Sequence, residues 1–240
     1  LLFEGSENIA RGEFDAYVEN AGGILNANTT QDRTFYYELL PSNQLELGLW
    51  LESERMLHAK IEQIGIDTQN EDVKEEKRQR YDNQPYGQLL PTTMAMAYDE
   101  HPYQWTPIGS MEHLDAADHA DFMEFYETFY VPENATLSIA GDLDVDETRD
   151  LIEKYFQDIP RGGRDIPRPT TIEPARTAEV RDTIYGKDRL PLVVQAYPIP
   201  AQGTPDYYAV DMLNQVLSGG ERARLNLSLI HISEPTRRKR

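Results

Sequence analysis

Gln69-Asn70-Glu71-Asp72-Val73-Lys74-Glu75-Glu76-Lys77-Arg78-Gln79-Arg80 holds no glycine or proline, and the next proline is Pro85. A run built mostly from strong helix formers predicts a helix and leaves few alternatives. On that helix Gln69, Asp72, Val73, Glu76 and Arg80 recur at spacings of three and four and share one face. Two readings of the face stay open. It is a solvated charged surface, or it turns Glu76 into a buried site as a metal-ligating carboxylate, with Gln69 two turns back on the same side. Periodicity alone does not choose between them.

Around this helix the chain alternates helical and extended patterns. Leu1-Leu2-Phe3-Glu4-Gly5-Ser6 reads as the end of a helix. Residues 13–20 place Phe14, Tyr17 and Val18 on one face, with Gly22-Gly23 as a stop. Residues 24–30 and 34–40, rich in Thr and Tyr, predict a β-hairpin turning at Gln31-Asp32-Arg33. Pro41-Ser42-Asn43 opens a helix with Leu45, Leu49, Trp50, Ser53, Met56 and Leu57 at helical spacing. The Glu76 helix should begin near Ile66.

Residues 89–99 predict another helix, and the Pro- and aromatic-rich 101–109 an ordered loop. Asp115 is the expected cap of the next helix, whose Phe122, Phe125, Tyr126 and Phe129 form a core-type apolar stripe. Residues 135–140 read as a short strand closed by Gly141-Asp142. Val145, Thr148, Leu151, Ile152, Tyr155 and Phe156 mark an amphipathic helix. Gly, Pro and Arg gather in 160–174, which predicts an interdomain linker. Beyond it 178–185 and 190–197 read as strands and 205–217 as a helix.

Asp and Glu outnumber Lys and Arg by 42 to 23, a formal charge of −19. A nucleic-acid binder needs a basic stripe, so the balance argues against nucleic acid and against an anionic membrane surface. No apolar run is long enough to span a bilayer. The chain has no cysteine, which excludes disulfides, thiolate metal sites and thiol nucleophiles. It opens on Leu1 rather than Met, so a signal peptide is neither seen nor excluded.

No two of the five histidines stand four apart, the spacing of a helical zinc pair, and each reads as structural or solvated. There is no Gly-x-Ser-x-Gly elbow, phosphate loop or dinucleotide fingerprint. The residues alone describe an acidic α/β protein of open function.

An ordered set of short motifs adds a resemblance. Leu2-Phe3-Glu4-Gly5-Ser6, Ala21-Gly22-Gly23, Asn26-Ala27-Asn28-Thr29, Asp32-Arg33-Thr34-Phe35-Tyr36-Tyr37, Glu54-Arg55-Met56 and Val73-Lys74-Glu75-Glu76 follow one another. His101-Pro102-Tyr103, Ile108-Gly109, the run from Tyr130 to Leu137 and Gly141-Asp142 continue the series. Together they resemble the insulinase-like zinc peptidases, the M16 family of pitrilysin and the mitochondrial processing peptidase, over essentially residues 1–225. The shorter bacterial members are the nearest in pattern, which points toward an exported location.

The resemblance implies an α+β (α/β sandwich) half-clamshell domain, a mostly antiparallel sheet packed with helices, and the start of a second similar domain. It places a first domain at 1–165, with the family's zinc-binding part at about 1–105 and its C-terminal-type segment from about 110. A linker at 166–177 and the beginning of a second domain at 178–226 follow. It implies a zinc-dependent endopeptidase that hydrolyses peptides or unfolded polypeptides with metal-activated water, enclosed with a second such half or subunit. Glu76 becomes the carboxylate zinc ligand, and Gln69 stands where several members carry a second-shell Glu. The His-x-x-Glu-His motif with its general base is expected before Leu1, so these residues alone are expected to be inactive. Asn26 and Ala27 match an edge-strand segment that binds extended substrate, whereas the plain reading has Asn26 only capping or turning the hairpin. Gly219-Gly220-Glu221-Arg222-Ala223-Arg224-Leu225 matches the entry to a substrate-contacting segment of the second half. From Leu227 to Arg240 the sequence resembles a translated sequencing adapter, so His231 is given no role; the alternative is a basic tail. The competing function is a non-catalytic partner or assembly subunit of the same fold.

Overall fold

The computed structural model describes residues 2–186, 190–220 and 223–225, so His231 and the expected adapter segment lie outside it. The chain divides into two compact units, Leu1–Arg189 and Leu190–Arg240.

In the first unit, α1 (Glu13–Asn20) opens after Gly12 with Glu13 and Asp15 in its first turn, where acidic groups suit the helix dipole. It buries Phe14 and Val18, one turn apart. Gly22, in the left-handed region at φ 79°, turns the chain out of the helix. At Gly23 a Cβ would sit 2.6 Å from the Leu39 carbonyl, so only glycine lets the helix exit pass the hairpin this closely.

The hairpin is β1 (Ile24–Thr29) against β2 (Thr34–Leu39), antiparallel, from the pair Ile24–Leu39 to Thr29–Thr34. The expected strands each end one residue earlier. α2 (Leu45–Leu57) packs its Leu49 and Leu51 inward. The core is Ile9, Phe14, Val18 and Leu51, flanked by Leu25, Leu40, Leu47 and Trp50. Each fully buried apolar side chain of this size contributes about 2 kcal/mol.

α3 (Gln63–Lys77) starts three residues before the expected Ile66, and Arg78–Asp82 winds on as a π-helical turn. α4 (Leu89–Ala97) leads into the loop of 98–109. Asp115 is not the cap expected of it. It sits inside α5 (Met111–Ala116), capped by Ser110, and the next helix, α6 (His119–Phe129), is capped by Asp118 in a reciprocal capping box with Asp121. Ala117, extended at ψ 126°, separates the two helices and moves the cap three residues on. α7 (Val145–Phe156) is capped by Asp144.

Residues 135–140 and 178–185 of this unit form no strand. A strand needs a ladder partner for its N–H and C=O groups, and among the described residues the single sheet is the β1–β2 pair. The linker expected at 166–177 runs inside the first unit without regular structure.

In the second unit residues 190–197 are likewise no strand. α8 (Pro205–Ser218) carries Pro at its first position after the Thr204 cap, whose side chain accepts the Tyr207 N–H.

Candidate functional site

Helix α3 is held along one face by its own polar side chains. Asn70 donates to the Leu114 carbonyl (2.6 Å), Lys74 pairs with Asp115 (2.6 Å) and Lys77 donates to the Gly109 carbonyl (2.9 Å). These residues, at i, i+4 and i+7, fix the helix to α5 and the loop before it. On the adjacent flank Gln69 donates its amide to Glu4 (2.8 Å), and Glu4 is also bound by Arg11. The sequence singles out Gln69 but not Glu4, since no periodic pattern links residues 65 apart.

Glu76 lies further along that flank, its side chain 42% exposed and paired with Arg80 at 2.9 Å, one turn on. It is thus neither free in water nor buried. As for a zinc ion, the described residues contain no group of three or more His, Cys, Asp or Glu able to hold a metal. Glu76 offers one carboxylate, whose Oε1 is already paired with the Arg80 guanidinium. On this donor set the described residues do not fit zinc by themselves.

The four described histidines are all engaged in the fold. His58 faces Glu7 (3.4 Å), His101 Nδ1 accepts the Tyr103 N–H (3.2 Å), His119 Nε2 meets the Ile61 carbonyl (2.8 Å), and His113 sits in α5.

Asn26 and Ala27 stand mid-way along β1, opposite Tyr37 and Tyr36. Asn26 is exposed, and its side-chain oxygen accepts the Ala27 N–H at 2.7 Å. β1 lies chiefly against β2 and α1, whereas α3 packs chiefly on α5 and its own π turn.

Behind the hairpin lies an arginine unsuspected from sequence in this role. The Arg55 side chain is 2% exposed and lies within 5.0 Å of the ring centres of Phe3, Phe14 and Tyr36. It donates to the Leu2 carbonyl (2.6 Å) and grips both oxygens of Glu52 (3.2 and 3.1 Å). Glu38 of β2 shares the pocket. Burial and then the Glu52 charge push its carboxyl up to about 8, with Arg55 opposing. The Tyr36 hydroxyl meets that of Tyr130 (2.8 Å), and burial is the largest single cause that raises the Tyr36 pKa, ahead of the Tyr130 hydroxyl. Tyr126, pushed up to about 12 chiefly by burial, donates to the carbonyls of Arg55 and Met56. Ser6 and Asn8 both donate to the buried Glu54 (2.5 and 2.8 Å). Together these contacts seat residues 2–9 against α2.

Two family models match successive parts of the chain. Residues 1–108 match the family model described as Insulinase (Peptidase family M16), and residues 116–232 match the Peptidase M16 inactive domain. The chain is 32% identical to the zinc protease PqqE of Helicobacter pylori over 96% of its own length and 52% of the relative's. It is 25% identical to subunit 1 of the mitochondrial cytochrome b-c1 complex of Bos taurus, over 90% of this chain and 45% of that one. A solved protease structure from Helicobacter pylori superimposes with a TM-score of 0.83 and 29% identity, covering 97% of this chain and 56% of that one. The chain spans about half the length of the curated relatives it matches.

Proposed function

The chain belongs to the insulinase (M16) family of peptidases, and we propose from this that the protein it represents is a zinc-dependent endopeptidase acting on peptides or unfolded polypeptide. The observation that carries the reading is similarity to a zinc protease along 96% of the chain. In this reading Glu76 would supply a carboxylate donor to the metal, and Gln69, hydrogen-bonded to Glu4, stands behind it on the same flank. The remaining donors and the general base belong to a His-x-x-Glu-His motif, which the 240 residues do not contain. Substrate lies extended along β1 by strand addition, its backbone competing with Asn26 for the Ala27 N–H. A second half or subunit of the family encloses it.

The test uses the complete gene product. Glu76→Gln should lower bound zinc, measured by atomic absorption, and abolish cleavage of a quenched fluorogenic peptide. Unchanged zinc content would remove Glu76 from the ligand set. Cleavage that persists in the wild type after chelation would remove the metallopeptidase reading itself.

A second reading, a non-catalytic partner or assembly subunit, is favoured by the likeness to a respiratory-complex subunit. Sequencing the source locus upstream of the Leu1 codon separates the two. A His-x-x-Glu-His motif there supports the enzyme, and other residues at those positions support the subunit.

A further inference from the structure

Three consecutive backbone N–H groups just beyond α4, those of Asp99, Glu100 and His101, point at one carboxylate more than seventy residues away. Glu173 accepts them at 2.8, 3.0 and 2.9 Å, through Oε1 for Asp99 and Oε2 for the other two. Two of the three residues are themselves acidic, so a third carboxylate beside them is unfavourable unless compensated. The compensation is visible. The three N–H donors hold the Glu173 carboxyl below its usual range, with Arg176 assisting. Arg176 pairs with Asp99 (3.2 Å) and donates to the carbonyl of Ala97, the last residue of α4, which the helix leaves without an internal partner.

The loop so gripped reaches across to the hairpin. Tyr98, His101 and Tyr103 pack ring on ring, with centroids 4.3 to 5.7 Å apart. The Tyr103 hydroxyl donates to Asp32, inside the β1–β2 turn that Thr30 and Arg33 close with a 2.9 Å backbone bond. That bond to Asp32 is also the first reason the phenol is pushed up to about 12, so it stays protonated and donating across the neutral range.

We propose that Glu173 and Arg176 form a strap by which the irregular stretch of 166–177 fixes the loop after α4 and, through Tyr103 and Asp32, the turn of the β1–β2 hairpin. The strap is a conformational device. Releasing one carboxylate in this irregular stretch loosens a turn distant in sequence, without disturbing the helices between. The groups facing the strap are Asp99, Glu100, His101 and Arg176, and none of them must change charge for it to work.

Hydrogen exchange of the 240-residue chain, read by mass spectrometry, tests this. Glu173→Ala should speed exchange in peptides covering 99–103 and in those covering 30–33 by at least about five-fold each, with α7 unchanged as the internal control. Tyr103→Phe should reproduce the effect at 30–33 alone. Adding Glu173→Ala to it should speed the loop with little further change at the turn. The proposal is overturned if Glu173→Ala loosens the loop but not the turn, if the two effects at the turn simply add, or if α7 speeds up equally. Glu173→Gln, which keeps one acceptor oxygen and replaces the other by an NH2 donor, should fall between wild type and Glu173→Ala; a Gln variant as loose as the Ala variant shows that both carboxylate oxygens are needed and still supports the strap.

Discussion

Glu38 approaches Arg55 to 3.9 Å, near enough for an ion pair, yet neither of its buried carboxylate oxygens has a hydrogen-bond partner. Arg55 spends its fork on Glu52. One guanidinium therefore faces two carboxyl groups, and the burial of Glu38 with the Glu52 charge beside it favours the protonated form of Glu38.

That proton sets a pH dependence. With Glu38 pushed up to about 8 from an ordinary 4.5, the folded chain holds a proton that the unfolded chain has released across that window. Its contribution to stability is complete below pH 4.5 and is lost as pH rises through 8, on the order of 5 kcal/mol. Glu38→Gln removes the titration. Urea denaturation should find it similar to wild type at pH 5 and more stable at pH 8. Parallel stability–pH curves for the two proteins would contradict this account.

Glu54, 5% exposed, anchors the N-terminal segment by accepting from both Ser6 and Asn8, and Ser6 Oγ in turn accepts the N–H groups of Asn8 and Ile9. Glu54→Ala should cost about 2–4 kcal/mol, because it leaves a buried hydroxyl without its acceptor and opens a void. Glu54→Gln, which keeps one acceptor, should cost about half as much. Equal losses in chemical denaturation would point to charge rather than hydrogen bonding.

Two glycines of the same segment should respond differently to alanine. At Gly5, φ is +144° and a Cβ would fall 2.7 Å from the Ile9 carbonyl oxygen, so backbone must move. At Gly12, φ is +78° with open space around it. Gly5→Ala should destabilise by more than about 2 kcal/mol, and Gly12→Ala by about 1 kcal/mol, the ordinary cost of the left-handed region. Thermal unfolding of the two variants side by side gives the comparison.

Zinc titrated into the 240-residue chain should give no tight one-to-one site by calorimetry. The Glu76 carboxylate is paired with Arg80, and the described residues bring no second and third donor to it. A submicromolar stoichiometric site would show that this chain assembles a donor set of its own.

Local chemistry made much of this fold legible. The hairpin was readable to within a residue because Thr, Tyr and the Asp32 turn act on near neighbours. α1 matched its predicted bounds because Phe14, Val18 and Gly22 mark a face and a stop. The Asp118 cap was within reach too, since Asp118 and Asp121 have capping-box spacing; Asp115 competed with it as another acidic residue just before the apolar stripe. The predicted strands failed because a strand depends on a partner that its own residues do not encode. The grip of Arg55 on Glu52 beside Glu38, the Gln69–Glu4 bond and the Glu173 strap were illegible for a related reason. Each joins polar residues that no helical or strand period relates, so only the folded chain brings them together.

The two-stranded hairpin has a further consequence for chains in solution. Among the described residues neither β1 nor β2 has a second strand beside it, and such rims accept the backbone of another copy as readily as that of a peptide. The formal charge of −19 keeps copies apart at low ionic strength. At physiological salt that repulsion fades within about 8 Å, and protection at closer range falls to side chains such as Asn26 and Asn28. Self-association of this chain should therefore grow with added salt, with the hairpin as the adhesive surface.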